Sequence, residues 1–296
     1  MLERVLWAFP HGIILGGAYG AIAVGLSVIF GVTRVINFAH GAILMVSCYG
    51  YFLLYQWFKL DPYLGIVVVA PAMYVLGYLL LKFLIKPLFL RERAQVLDPT
   101  SVMLFTIGLD LSLCYLFMMI FKSDFRTLNT QISRSYLVVG EDAVFVTQWS
   151  RIIAFGAGFV LAGLLWFIIN KTELGNKIRA VSQNRDAASL CGVDVYKTYS
   201  IAFGLGVAAV SIAGACLTQF LFIQPLIGVT FGPKSFMIVV LGGLGSIPGA
   251  LLGGLIFGVV ETVGAQFVVS TSASMLSFLL FIVVLLVRPR GLMGKI

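Results

Sequence analysis

The sequence predicts an all-α fold, a polytopic transmembrane helix bundle of about 8–10 membrane segments that includes broken or re-entrant helices. Composition is the first reason: of 296 residues, 60% are hydrophobic and 11% charged, with a mean hydropathy of +1.05. A soluble domain has about 25% charged residues, so the polar groups here cannot cover a water-exposed surface. The second reason is that apolar stretches of roughly 20 residues recur along the chain, each long enough to cross about 30 Å of hydrocarbon. The third is that Gly and Pro interrupt some of those stretches. The same numbers exclude a disordered chain, a secreted disulfide scaffold, a soluble nucleotide-binding domain and a coiled coil.

The apolar runs fall at 11–31, 41–57, 63–85, 100–121, 150–170, 198–220, 235–245, 249–268 and 275–288 within a single transmembrane domain, 1–296. The first follows Glu3 and Arg4 and exceeds the 7–15 apolar residues of a signal-peptide core, so it reads as an uncleaved helix. The second is separated from the first by residues 32–41, which form either a cytoplasmic turn or an interruption within the membrane. The seventh is too short to span unless it extends beyond its apolar run. Basic residues gather in three places: Lys82, Lys86, Arg91 and Arg93; Lys171, Lys177, Arg179, Arg185 and Lys197; Arg288, Arg290 and Lys295. Positive loops stay on the cytoplasmic side, which puts these segments and the carboxyl terminus there. Segment 122–149 is balanced instead, with Lys122, Asp124, Arg126, Arg134, Glu141 and Asp142 among polar residues, and reads as an extracytoplasmic loop open to a soluble partner.

The net charge of +8 is explained by those loops rather than by a nucleic-acid footprint, which needs a basic stripe on a soluble face. Cys48, Cys114, Cys191 and Cys216 are widely separated and have no metal-ligand spacing, so neither a disulfide nor a metal site is expected. Glycines four apart, as in Gly12, Gly16 and Gly20 or Gly245, Gly249 and Gly253, suit close helix packing in lipid. In 242–249, Gly-Gly-Leu-Gly-Ser-Ile-Pro-Gly, the proline removes a donor and the glycines permit a turn. A broken or re-entrant helix is expected there, and discontinuous helices line many transport sites. Asp110 and Glu261 lie inside apolar runs, where a charge costs at least about 2.5 kcal/mol; each should face the bundle interior, be protonated, or sit near an interface. Gln219, Gln224 and Gln266 either line a cavity or pair helices. Asn37 and His40, three apart, share a face if helical.

Residues 171–197 form a polar loop too long for a hairpin. Ile178, Val181, Ala188 and Leu190 predict a short amphipathic helix ending near Cys191-Gly192, on a loop built to dock into something. Within it, Asp186-Ala187-Ala188 followed by Gly192 resembles the EAAxxxG loop of ABC-importer permeases, with Asp in place of Glu. Together with GVTRVINFAHG (31–41), QNRDAASLCGVDV (183–195), LGGLGSIPGALLGG (241–254) and LLVRPRGLMG (285–294), the chain resembles the branched-chain amino acid ABC transporter permease family. The likeness runs in order from Gly16 to Gly294. Ala42 stands after the AHG, where the family pattern has Glu or another polar residue.

The resemblance implies an importer permease of the bacterial-type inner membrane that pairs with a second homologous permease or another copy. It implies two cytoplasmic ATPases that bind ATP and Mg, and an extracytoplasmic binding protein. This chain has no GxxxxGK[ST] and is expected to bind no cofactor and catalyse no reaction. Gln183, Asn184, Arg185, Asp186, Ala187, Ala188, Gly192 and Val193 become the ATPase-coupling loop. Asn37, Phe38, His40, Gly41, Gly242, Gly243, Gly245, Ser246 and Pro248 become the walls of the substrate path. The implied cargo is leucine, isoleucine, valine or another hydrophobic amino acid, with urea, short amides or small organic acids as the alternative. A rival from another class is a self-contained secondary transporter using Asp110 or Glu261 as a proton site.

Overall fold

The computed structural model describes residues 2–91, 99–139, 145–267 and 270–294; Arg93, Glu141, Asp142 and Lys295 lie outside them. Among the described residues, seven helices are long and apolar enough to cross a membrane, and Ile227–Gly242 and Met275–Val287 are shorter apolar helices. In chain order the long elements are α1 (Leu2–Thr33), α2 (His40–Phe58) and α3 (Pro62–Leu79), which continues through a π-helical stretch (Leu80–Ile85) into α4 (Lys86–Arg91). Then come α5 (Pro99–Phe121), α6 (Gln131–Arg134), strands β1 (Tyr136–Val139) and β2 (Phe145–Gln148), and α7 (Trp149–Lys171). They are followed by α8 (Glu173–Gln183), α9 (Arg185–Leu190), α10 (Val195–Leu217), α11 (Ile227–Gly242), α12 (Ile247–Gly264) and α13 (Ser270–Val287). The chain is a multi-pass all-α bundle, as its composition requires.

α1 and α10 form the centre, each 78% buried over its apolar window, and α5 is the most peripheral, at 11%. Glycine sets the central packing. A Cβ on Gly258 would lie 2.5 Å from the Gly12 carbonyl and from Gly16 Cα, and one on Gly16 would lie 2.6 Å from Leu255 Cα. In lipid, where apolar side chains gain nothing by leaving solvent, this backbone approach is what holds α1 to α12.

Helix directions follow from contacts along each pair. Gly12 meets Val259 and Gly31 meets Gly245, so α1 and α12 are antiparallel. Asp61 reaches Gln219 while Gly77 lies against Gly204, so α3 and α10 are antiparallel too. One end of the bundle therefore collects the last turn of α1, the α4 side of α3, the loop with α8 and α9, and the tail after α13. It carries Lys82, Lys86, Lys171, Lys177, Arg179, Arg185, Lys197, Arg288 and Arg290, and is called the basic end below.

At the opposite end, the described parts of segment 122–149 contain more regular structure than the loop expected from its composition. β1 and β2 pair antiparallel, Tyr136 opposite Gln148, and Arg126 bridges to Ile223 through both backbone hydrogen bonds. Gln219 accepts from Thr130 Oγ1 at 2.5 Å, so this glutamine ties the loop to the end of α10 rather than lining a cavity.

The seventh run starts earlier than its hydropathy suggested. α11 begins at Ile227 and includes Pro233 and Lys234, giving 16 residues.

Candidate translocation path and coupling surface

The interruption after α1 is the broken helix of this fold. Arg34 ends α1 in the left-handed region, φ +54°, its amide donating to Phe30 O at 2.8 Å. The chain then turns back into the bundle through residues 35–39, and α2 starts only at His40. His40 Nε2 lies 3.1 Å from Ile22 O, and because a carbonyl only accepts, the ring carries its proton on Nε2. Ile22 is near the middle of α1, so α2 begins at about half the depth of the bundle.

Non-helical backbone at that depth must be satisfied by protein, and the partners are visible. Asn37 Oδ1 accepts from Ala39 N at 3.1 Å, and Thr106 Oγ1 on α5 accepts from Phe38 N at 3.2 Å. Ala39 precedes α2 and has no side-chain acceptor. The cap comes from another helix: Asp110 Oδ1 accepts from Ala42 N at 3.1 Å. A carboxylate at a helix amino terminus meets both the unpaired amides and the positive end of the dipole, which accounts for Asp110 inside an apolar run. Gly41 allows α2 to cross α11, since a Cβ there would collide with the Gly228 carbonyl. Asn37 Nδ2 and His40 Nδ1 are buried without a protein partner, and Asn37 lines a cavity of about 10 Å³, room for about one water. Phe38 is exposed beside them, its ring 6.3 Å from that of Phe236.

The cap predicts a graded result. Asp110→Ala should lower stability in detergent by about 1 kcal/mol and misplace residues 37–41, whereas Asp110→Asn keeps an acceptor oxygen and should retain most uptake. Thermal unfolding and transport of both variants check this; loss of transport in the Asn variant as complete as in the Ala variant, with its stability retained, would instead indicate a titrating proton site.

The second predicted wall lies elsewhere. Gly242, Gly243, Gly245, Ser246 and Pro248 form the turn between α11 and α12 at the basic end. Gly243 and Gly245 adopt φ +107° and +81°. Ser246 Oγ caps α12 by accepting from Gly249 N at 3.2 Å, and Pro248 sits in its first turn, where a missing N–H costs nothing. The tail closes over the turn, Leu292 N and Met293 N each donating at 2.9 Å to Leu241 O and Gly242 O. This stretch is thus a sealed helical turn rather than a break at membrane depth. Gly242 is 14 residues along α11 from Gly228, so the two clusters are roughly 20 Å apart.

Glu261 does not stand alone. Its carboxylate meets Lys234 Nζ at 2.5 Å, both side chains about 85% buried (14% and 15% exposed), and it accepts a hydrogen bond from Tyr19. Lys234 also lies over the Tyr19 ring, 5.2 Å from its centroid. Sequence reasoning missed this pair because Lys234 and Glu261 are 27 residues apart and only the acid stood out inside an apolar run. A lone lysine in an apolar stretch was the available signal.

In the loop 171–197, one amphipathic helix was expected and two are present. Asn184 is extended, φ −150°, and its Oδ1 accepts from the amides of Asp186 and Ala187 at 3.0 Å, starting α9 afresh. The break shifts the phase of the apolar face. Ile178, Val181 and Ala188 are buried as expected, but Leu190 is turned outward and is 91% exposed, the highest of the described large apolar side chains. α9 ends in a Schellman turn, Val193 N to Ala188 O and Gly192 N to Ser189 O, both 3.0 Å, with Gly192 at φ +81°. Asp186 is 87% exposed at the start of the helix, beside Arg185. A cleft of about 670 Å³ behind α9 is lined by Lys177, Gly192, Asp194 and Lys197 among others. The result is a capped helical turn that leaves one acid and one apolar side chain exposed, Asp186 and Leu190. Among the described residues no group of His, Cys, Asp and Glu could hold a metal ion.

Comparison with known proteins agrees with this architecture. Residues 10–287 match the family model for the permease component of branched-chain amino acid transport systems. The high-affinity branched-chain amino acid transport system permease protein BraD of Pseudomonas aeruginosa is 31% identical over 99% of this chain and 97% of its own length. The corresponding LivH protein of Escherichia coli is 29% identical over 96% of this chain and 94% of its own length. The ribose import permease protein RbsC of Bacillus subtilis is 33% identical over 32% of each chain. With the family model matched from residue 10 to 287 and BraD 31% identical over nearly the whole chain, the chain belongs to the branched-chain amino acid transport system permease family.

Proposed function

We propose that this chain is the membrane-spanning subunit of an ATP-driven importer that moves branched-chain or other hydrophobic amino acids into the cytoplasm. The observation that carries the reading is α9. Its exposed Leu190 and Asp186 stand on a capped, buried base at the basic end, where soluble ATPases would meet it. Lys and Arg loops favour the cytoplasmic side, so α1 enters from outside and the tail lies inside. In the proposed mechanism, ATPase closure moves α9, and the bundle alternates access to the notch around Asn37, Phe38, His40 and Gly41. Such a loop must favour one of two states to transmit anything. A binding protein would deliver substrate at the end bearing β1 and β2, and a second permease would complete the path.

The test is uptake into proteoliposomes by this chain with its co-purifying subunits, ATP on one side and the binding protein on the other. Leucine uptake that needs both supports the reading. Urea uptake on the same terms would keep the mechanism and change the cargo, and uptake by the chain alone under a proton gradient would overturn it. The carboxylates that a proton-coupled transporter would use are engaged otherwise, Asp110 as a cap and Glu261 with Lys234, which favours the importer.

Sidedness has its own check. Cys191 is exposed on α9, and Cys48, Cys114 and Cys216 are buried. A membrane-impermeant maleimide should label inside-out vesicles at Cys191 and leave intact spheroplasts unlabelled; the reverse pattern would invert the proposed topology.

A further inference from the structure

Arg34 occupies the junction of two helices that are remote in sequence. Its backbone is the left-handed cap of α1, as described above, and its side chain reaches α8. Arg34 Nη2 donates to Ser182 O at 2.7 Å, across 148 residues of chain. Ser182 is the penultimate residue of α8, so its carbonyl is among the last four, which have no partner within the helix. A cation there is also favoured by the negative end of the dipole. Asn184, two residues on, is the joint at which α9 begins. On the other side of Arg34, three residues away, Asn37 begins the hydrogen-bonded notch that supports α2.

We infer that Arg34 is the positioning residue that transmits displacement of α9 to the broken segment at mid-depth. The inference rests on the coupling-surface reading above. A push on α9 pivots at Asn184 and moves the α8 carboxyl end, where Arg34 holds it. Arg34 in turn sets where residues 35–39 leave α1. Its left-handed backbone is uncommon for a residue other than glycine, so the course of residues 35–39 depends on the contacts that hold Arg34, the Ser182 carbonyl among them. A switch requires two discrete arrangements whose balance a distant contact biases, and in this inference the Ser182 contact is that bias. Gly31, one turn before the junction, packs on Gly245 with 3.2 Å left for a Cβ, which fixes the end of α1 so that motion passes into 35–39 and not into the helix.

The experiment compares Arg34→Ala, Arg34→Lys and Arg34→Gly with Asp186→Lys, all in the full assembled complex in proteoliposomes. Basal ATP hydrolysis, hydrolysis stimulated by the loaded binding protein, and leucine uptake are measured together with complex recovery. Arg34→Ala and Arg34→Gly should each reduce uptake per ATP hydrolysed by roughly tenfold, with basal hydrolysis and recovery unchanged. Arg34→Lys should restore part of the ratio, because an ammonium can still reach a carbonyl. Normal uptake per ATP in Arg34→Ala and Arg34→Gly while Asp186→Lys is uncoupled would overturn the role of Arg34 alone. Normal coupling in Asp186→Lys as well would overturn the coupling-surface reading itself. If uptake falls only in proportion to complex recovery in both Arg34→Ala and Arg34→Gly, Arg34 serves folding and the inference fails.

Discussion

Leu190→Asp is expected to abolish ATP-driven uptake while leaving the chain itself intact. At 91% exposure the side chain contributes nothing to the bundle, so membrane insertion and thermal stability of the isolated chain should match wild type. The loss belongs to docking. A central apolar anchor in an interface contributes about 2 kcal/mol or more, or roughly 30-fold in affinity, and a carboxylate brought into the partner's apolar pocket would add a desolvation cost. Co-purification of the ATPases and uptake at limiting ATPase concentration measure this directly. Leu190→Met keeps the apolar volume and should preserve both. Full assembly and uptake in Leu190→Asp would mean that α9 is not where the ATPases bind.

Glu261→Leu is the substitution with the largest expected effect on stability. It strands the Lys234 ammonium, 14% exposed, among Tyr19 and Phe231 in the membrane-spanning region. Removing one partner of a buried pair costs about 3–5 kcal/mol, far beyond the fraction of a kcal/mol of an exposed pair. Lys234→Met combined with Glu261→Leu removes both charges and should regain most of that stability, since apolar replacement of a whole buried pair is neutral or stabilising. Unfolding of the four forms in detergent closes the cycle. Equal stability of the single and double variants would show that the pair does not join α11 to α12. Uptake by the double variant also separates the two transport mechanisms: the importer reading expects ATP-dependent transport to persist, and a proton-coupled transporter with Glu261 at its centre expects none.

The legibility of this chain in its sequence is uneven, and the reasons are physical. Helix number, type and approximate span follow from length and hydropathy, because a bilayer leaves few ways to satisfy backbone groups. The glycine spacing of α1 and α12 was legible for the same reason, as close backbone approach in lipid has few other sequence solutions. Gly192 was legible as a helix end. Leu190 was not, because periodicity assumes one continuous helix, and Asn184 resets the phase by capping α9 with its side chain. Residues 242–248 misled in another way: the residues that permit a broken helix also build a tight turn between two helices, and only the position of the tail on Leu241 and Gly242 separates the cases. Asp110 and Glu261 each read as an isolated acid, since their partners, the Ala42 amide and Lys234, are 68 and 27 residues away.

The sequence by itself determined that this chain lives in a bilayer, which runs cross it, which loops are basic, and the family to which it belongs. Those properties are sums over local composition, or ordered motifs, and need no knowledge of what touches what. Tertiary structure alone decided that α2 begins at mid-depth under the Asp110 carboxylate, that Glu261 is neutralised by Lys234, and that Arg34 joins the end of α1 to the end of α8. Each of these is one contact between residues far apart in the chain, and its energy depends on distance and burial, which no local pattern encodes.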